Sequence, residues 1–132
     1  MVAIQRFFVK ILIVEDDFIC RLLLKQILTG YGKITTAING KEGFEAVSQA
    51  IDVQEPFQLI CLDIMMPEMD GLTVLKKIRA LEESKGIWSS QGAKIIMTTA
   101  LGDMKNTCEA FNNLCDAYLR KPIWRSSLYI ST

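Results

Sequence analysis

Four short segments of this sequence carry groups able to do phosphoryl or metal chemistry, and each closes an apolar run. Glu15-Asp16-Asp17 follows KILIV, Asp63 follows FQLICL, Thr98-Thr99-Ala100 closes KIIMTTA, and Lys121-Pro122 follows DAYLR. Clustered carboxylates repel one another and are hard to desolvate without a cation. Their hard oxygens suit Mg2+, which takes a few protein ligands and keeps several waters. A lysine and a threonine hydroxyl beside them would complete a pocket for the oxygens of a phosphoryl group. Taken singly, each residue has a plainer reading. Asp17 is a helix N-cap, Asp63 can open an Asx turn, Lys121 is a solvated charge, and Thr98 and Thr99 are ordinary strand residues. One site accounts for all four segments together, provided that the ends of the runs meet.

The elements between them predict that they do. Lys10–Val14, Lys33–Ile38, Phe57–Leu62, Lys94–Thr99 and Asp116–Arg120 are short and apolar or β-branched, as strands buried on both faces are. Helical spacing separates them. Ile19, Leu22, Leu23 and Ile27 mark a helix from Phe18 to Leu28, stopped by Gly30 and Gly32. Phe44, Val47 and Ile51 mark one from Lys41 to Asp52, and Val74, Leu75, Ile78 and Leu81 mark one that frays near Ser84 to Gly86. Met104, Cys108, Phe111 and Cys115 mark a fourth. Five alternations of this kind predict an α/β fold, a doubly wound five-stranded parallel sheet with helices on both faces. Sites on such sheets form outside the carboxyl ends of the strands.

Composition narrows the chemistry. The chain has 132 residues, 15 basic and 15 acidic, so no bulk field draws it to nucleic acid or to an anionic membrane. With half its residues hydrophobic it reads as one ordered domain over 1–132. It contains no histidine, which excludes Ser-His-Asp and Cys-His catalysis and His-containing zinc sites. Any phosphoryl group that arrives from a histidine must therefore come from another protein. Cys20, Cys61, Cys108 and Cys115 form no CxxC pair and read as free thiols in a reducing compartment. With no signal-peptide pattern and no long apolar span, the expected location is the cytoplasm.

ILIVEDD, LICLDIMMPEMDG, IIMTTA and DAYLRKP, in this order and spacing, resemble the receiver domain of two-component response regulators, of the chemotaxis-regulator, stand-alone type. The resemblance covers about Lys10 to Ile123, with a core of about 10–128, and implies a (βα)5 flavodoxin-like fold. It implies that Asp63 accepts a phosphoryl group from a histidine kinase or phosphotransfer protein in a Mg2+-dependent reaction. Arg21 matches the arginine of the first helix, which makes Glu15 and Asp16 the acidic pair that holds the metal, with Asp63 and the Met65 backbone carbonyl. Thr99, followed by Ala100, matches the switch hydroxyl, and Thr98 is expected to turn into the core. Lys121 matches the lysine that pairs with the phosphoryl group, before a cis bond to Pro122, and Tyr118 occupies the aromatic switch position. The domain would be a switch that catalyses its own phosphorylation and reshapes an interaction face for an output partner; it would not be a metabolic enzyme. A pseudo-receiver that never takes phosphate, and a phosphatase with an aspartyl nucleophile, are the alternatives. The latter usually has a second aspartate where Met65 stands.

The sequence departs from the resemblance after Pro122. A long fifth helix is usual there, whereas Ile123 to Thr132 predict a short last helix or a frayed tail, with Trp124 where a capping residue is expected. The apolar edge left beside Tyr118 would be open to a partner or to a second copy in a homodimer. With no output segment read after it, the receiver would be a stand-alone regulator, a relay element or a piece of a larger protein.

Overall fold

A computed structural model describes residues 2–5, 10–88, 90–100, 114–124 and 128–131. The elements in chain order are β1 (Val2–Gln5), β2 (Lys10–Val14), α1 (Phe18–Leu28), β3 (Lys33–Ala37), α2 (Gly40–Asp52), β4 (Leu59–Asp63), α3 (Gly71–Ser84), β5 (Lys94–Thr99), β6 (Ala117–Arg120) and β7 (Leu128–Ser131). Five of the strands form one parallel sheet in the order β3-β2-β4-β5-β6. Strand order thus reverses at β2, where the chain winds first to one side and then to the other. That reversal opens a crevice between the carboxyl ends of β2 and β4.

Each face of the sheet has its own core. Ile11, Ile13, Leu59, Cys61 and Ile96 pack against Leu24, Ile27 and Leu28 of α1. Leu12, Val14, Ile60, Leu62, Ile95 and Met97 pack against Val47 and Ala50 of α2 and Val74, Leu75 and Ile78 of α3. Alternate residues of each strand serve opposite faces, which is why the central strands are apolar throughout. The three α-helices of the described residues begin on an acidic or amide cap: Asp17, Asn39 and Asp70 accept from the amides of Cys20, Glu42 and Thr73. Among the described residues no helix is long and apolar enough to cross a membrane.

Three expectations are corrected. The buried stripe of α1 is turned from the one expected: Leu24, Ile27 and Leu28 are buried, whereas Ile19 is 65% and Leu22 42% exposed. The sheet covers only one side of α1, and its second half lies closest. The third strand of the sheet runs over Leu59–Asp63 rather than Phe57–Leu62: Gln58 already bonds to Lys10 and Lys94 on either side, but Phe57 turns into the α2 core and Asp63 extends the strand at its carboxyl end. After Pro122 the short last helix is replaced, over Leu128–Ser131, by β7, which pairs in parallel with β1. Leu-Tyr-Ile-Ser is rich in residues that favour extended backbone, and Val2–Gln5 offers a strand of like character. Of the fourth helix expected on Met104, Cys108, Phe111 and Cys115, the first three residues lie outside the described ones, and Cys115 is buried in the non-helical stretch before β6.

Candidate functional site

The carboxyl ends of β2, β4, β5 and β6 do converge. Glu15 leaves β2 with its amide donating to the Ala37 carbonyl of β3. Ile64 leaves β4 with its amide on Thr98 of β5, and Lys121 leaves β6 with its amide on Thr99. These crossings are continuations of the sheet ladder, so the chemistry-bearing residues are set by strand register rather than by loops.

Glu15, Asp16 and Asp63 each bring a carboxylate oxygen to within 4.8 Å of the others. Glu15 and Asp63 are buried and Asp16 is exposed, so the group is closed below and open to solvent above. Lys121 Nζ stands 2.6 Å from Glu15 Oε1 and 3.2 Å from Asp63 Oδ1. Apart from that ammonium, Glu15 Oε1 meets no hydrogen-bond donor among the described residues. Burial pushes the Glu15 carboxyl up to about 8, and the neighbouring Asp63 adds to the shift, outweighing Lys121. Burial alone would lower the Lys121 ammonium, but Glu15 and Asp63 together hold it above its ordinary value.

The loop after Asp63 is built to present that carboxylate. The Met65 amide donates to Asp63 Oδ1 at 3.3 Å, and the Gly71 amide returns to the Ile64 carbonyl at 2.8 Å. A Cβ on Gly71 would lie 2.0 Å from the Asp63 carbonyl oxygen, so only glycine lets α3 start this close to β4. Glu68 takes a φ of 69° to turn the chain between Pro67 and Met69.

The other expected residues fall around this centre. Asp17 is the α1 cap, as expected. Thr98 and Thr99 are both fully buried at the end of β5, and the Thr99 hydroxyl donates to the Ala100 carbonyl at 3.3 Å. Thr98 is indeed in the core, where its hydroxyl has no partner among the described residues. Met65 is 58% exposed beside Asp63. Tyr118, half-buried on β6, packs on the α2–α3 side of the sheet. The Lys121–Pro122 bond is cis.

A second polar cluster was not foreseen. Arg79 of α3 donates to the carbonyls of Leu114 and Ala93 and pairs with Glu82 at 2.7 Å and Asp116 at 3.2 Å. Glu82, 5% exposed, also accepts from the Ala93 amide, and Asp116 from the Ile95 amide. This network sits at the amino ends of β5 and β6, away from the acidic group, and ties α3 to both strands.

Three carboxylates at the switch point of a parallel sheet, bridged by a lysine on a cis Lys-Pro turn, narrow the field. A model of the response regulator receiver domain family matches residues 11–131. The chain belongs to that family. The receiver is 34% identical over 122 residues to the osmosensing histidine protein kinase SLN1 of Saccharomyces cerevisiae, covering 91% of this chain and 9% of the kinase. It is 36% identical over 114 residues to the transcriptional regulatory protein SrrA of Staphylococcus aureus, covering 86% of this chain and 42% of that protein. The chain thus spans less than half the length of these curated relatives. Among solved structures, the receiver domain of the histidine kinase CKI1 from Arabidopsis thaliana, complexed with Mg2+ and BeF3−, superposes with a TM-score of 0.74. The two are 26% identical, over 89% of this chain and 84% of that one. The receiver fold of a two-component system is therefore the fold of this chain.

The donor set fits Mg2+. All three side chains offer hard oxygens that converge on one another, and the buried Glu15 Oε1 lacks a neutral donor. In the sequence, Arg21 marks only the register of the acidic pair. In the structure its guanidinium reaches back over the acidic pair, 2.8 Å from the Glu15 carbonyl oxygen and 3.4 Å from that of Asp16.

Proposed function

We propose that this receiver is a phosphoacceptor switch in which Asp63 takes a phosphoryl group from a phosphohistidine on a sensor kinase or phosphotransfer protein. The observation that carries this reading is the buried Asp63 carboxylate, held against Lys121 and Glu15 and beside the solvent-exposed Asp16. A carboxylate oxygen of Asp63 attacks phosphorus, the phosphorus–nitrogen bond breaks, and the partner's imidazole leaves with the electron pair and takes up a proton. The product is an acyl phosphate on Asp63. Lys121, already 3.2 Å from the acceptor oxygen, offsets charge on the transferring group. Glu15, Asp16, Asp63 and the Met65 carbonyl would hold Mg2+, which when bound supplies further positive charge against the phosphoryl oxygens.

The new group adds about 1.5 to 2 negative charges beside the end of β5. The Thr99 hydroxyl now spends its hydrogen bond on the adjacent Ala100 carbonyl, a local contact that is cheap to exchange for a phosphoryl oxygen. Such an exchange, with Tyr118 moving beside it, would alter the face near β6 that an output partner reads. The reading makes the chain a cytoplasmic signalling switch, not a metabolic enzyme, and a single receiver domain over 1–132. Trp124, 64% exposed just after Pro122, supports a protein contact near that face, including a homodimer.

A phosphotransfer assay tests the partner. Incubation with a phosphorylated histidine phosphotransfer domain should move label to the receiver and leave it alkali-labile, as acyl phosphates are. Label that resists alkali, or none with any donor domain or with acetyl phosphate, would contradict the reading.

A further inference from the structure

Arg21 is half-buried in the first turns of α1 and directs its guanidinium backwards, onto main-chain oxygens rather than onto the carboxylates beside it. The same Nη1 reaches Glu15 O at 2.8 Å and Asp16 O at 3.4 Å, so one nitrogen spans two successive peptide units. These units leave β2 and enter α1, and the rest of that corner is also fixed. Glu15 donates its amide to Ala37, Asp17 caps the helix through the Cys20 amide, and the Arg21 amide itself returns to the Asp17 carbonyl at 3.0 Å. The guanidinium further lies 5.6 Å from the centre of the Phe18 ring, which restricts its own freedom.

A cation placed next to three carboxylates has two opposite consequences. Its charge competes with a metal ion for the same field and so weakens metal binding. Its hydrogen bonds hold the two peptide units whose side chains must point at one ion, and so strengthen binding. The geometry decides between them. The charge is spent on carbonyl oxygens and is partly open to solvent, which screens it, whereas Lys121 occupies the carboxylate side. A hydrogen bond from a charged donor to main chain is worth more than an ordinary one.

We propose that Arg21 is a positioning residue: it pins the Glu15 and Asp16 peptides so that their carboxylates keep the fixed directions that octahedral Mg2+ requires and Ca2+ does not. This rests on the reading of Glu15, Asp16 and Asp63 as a metal-binding group. Mg2+ demands near-ideal octahedral geometry at short distance, whereas Ca2+ tolerates irregular and larger sites. Loss of the pin therefore falls on Mg2+ first, and selectivity reads the pin more directly than affinity does. Simple electrostatic repulsion would act alike on two divalent ions.

Isothermal titration of the intact chain with MgCl2 and, separately, CaCl2 tests this on the wild type, Arg21→Gln and Arg21→Lys. Arg21→Gln should weaken Mg2+ binding about ten-fold, in the range of outer-shell losses, and Ca2+ binding by no more than about three-fold. Arg21→Lys, which keeps the charge without the fork, should fall between the wild type and Arg21→Gln in its Mg2+/Ca2+ ratio. Tighter binding of both ions to Arg21→Gln, or equal weakening of both, would overturn the proposal. If Arg21→Gln does not fold, as judged by circular dichroism, Arg21→Lys decides alone, and an unchanged ratio overturns it. A wild-type chain that binds neither ion would instead overturn the metal-binding reading itself, and this proposal with it.

Discussion

Lys121 Nζ bridges Glu15 Oε1 at 2.6 Å and Asp63 Oδ1 at 3.2 Å, so one ammonium joins the end of β2 to the end of β4. It fills the electrostatic place that a divalent cation would share. Replacing it with a neutral side chain of similar length should leave the carboxylates in greater need of a metal ion. Lys121→Met is expected to bind Mg2+ at least about three-fold more tightly than the wild type, while the unliganded protein loses stability. Calorimetric titration together with urea unfolding, with and without Mg2+, checks both halves. Weaker Mg2+ binding in the variant would contradict the bridging role.

Gly71 sets how closely α3 approaches β4. Its missing Cβ would stand 2.0 Å from the Asp63 carbonyl oxygen and 2.8 Å from Ile64 Cα, both rigid backbone. Gly71→Ala should therefore cost about 3 kcal/mol in urea unfolding, at the upper end of overpacking effects. Gly30 has nothing within 4 Å of the same position, and Gly30→Ala should change stability by less than about 1 kcal/mol. Equal costs at the two sites would show that the contact at Gly71 relaxes freely.

The Arg79 network makes a different demand. Arg79→Ala would leave the buried Glu82 carboxylate without its cation and the carbonyls of Ala93 and Leu114 without their donor. A loss of about 3 kcal/mol is expected, with the Mg2+ affinity of the folded protein unchanged because the network lies at the opposite end of the sheet. Urea unfolding and Mg2+ titration at low temperature separate the two effects.

How much of this was legible from residues alone follows from where each signal resides. Glu15, Asp63, Thr99 and Lys121 terminate strands, and strand ends in a parallel sheet share an edge by topology, so order and spacing suffice to gather them. The Asp17 cap is legible for a different reason, because it is a local pattern whose partner, the Cys20 amide, lies three residues on. Arg79 meets Glu82 three residues on, but Ala93, Leu114 and Asp116 lie 14, 35 and 37 residues away, and two of those partners are carbonyl oxygens. Main-chain acceptors leave no mark in a sequence. Only the placement of Glu82 next to the buried Ile78 stripe hinted at a satisfied charge. The pairing of β1 with β7 joins segments about 126 residues apart, each too short and featureless to declare its partner. The α1 stripe failed because Phe18, Ile19 and Leu22 continue the apolar spacing beyond the area that the sheet covers.

Buried thiols give the molecule an alkaline limit. Burial pushes Cys61, 1% exposed in β4, up to about 12 from an ordinary value near 9. The unfolded chain therefore loses that proton first, so the stability conferred by the neutral thiol is complete below about pH 9. It declines as pH rises from there toward 12, by about 1 kcal/mol per pH unit. Cys61→Val, which fits the apolar face without a titrating group, should show a shallower decline in urea midpoint between pH 9 and 11. An identical slope in both proteins would assign the loss to other groups.

Met65 stands two residues after Asp63, 58% exposed and unable to orient water by hydrogen bonding. Leu101, two residues after Thr99, has the same character but lies outside the described residues. The phospho-form should accordingly persist for many minutes in Mg2+, measured as the decay of the phosphorylated mass in the purified protein. Decay within seconds would mean that open access to the acyl phosphate outweighs the lack of a polar neighbour.

We propose that Asp63 is the phosphoacceptor and that the acidic group around it makes it one. Intact mass and peptide mapping after incubation with acetyl phosphate and Mg2+ test that most directly. The wild type should gain the mass of one phosphoryl group on the peptide that contains Asp63. Asp63→Asn should gain none, and Asp16→Ala should lose Mg2+ binding and labelling together. Labelling of Asp63→Asn at the wild-type rate, or an adduct mapped to any other residue, would contradict the account.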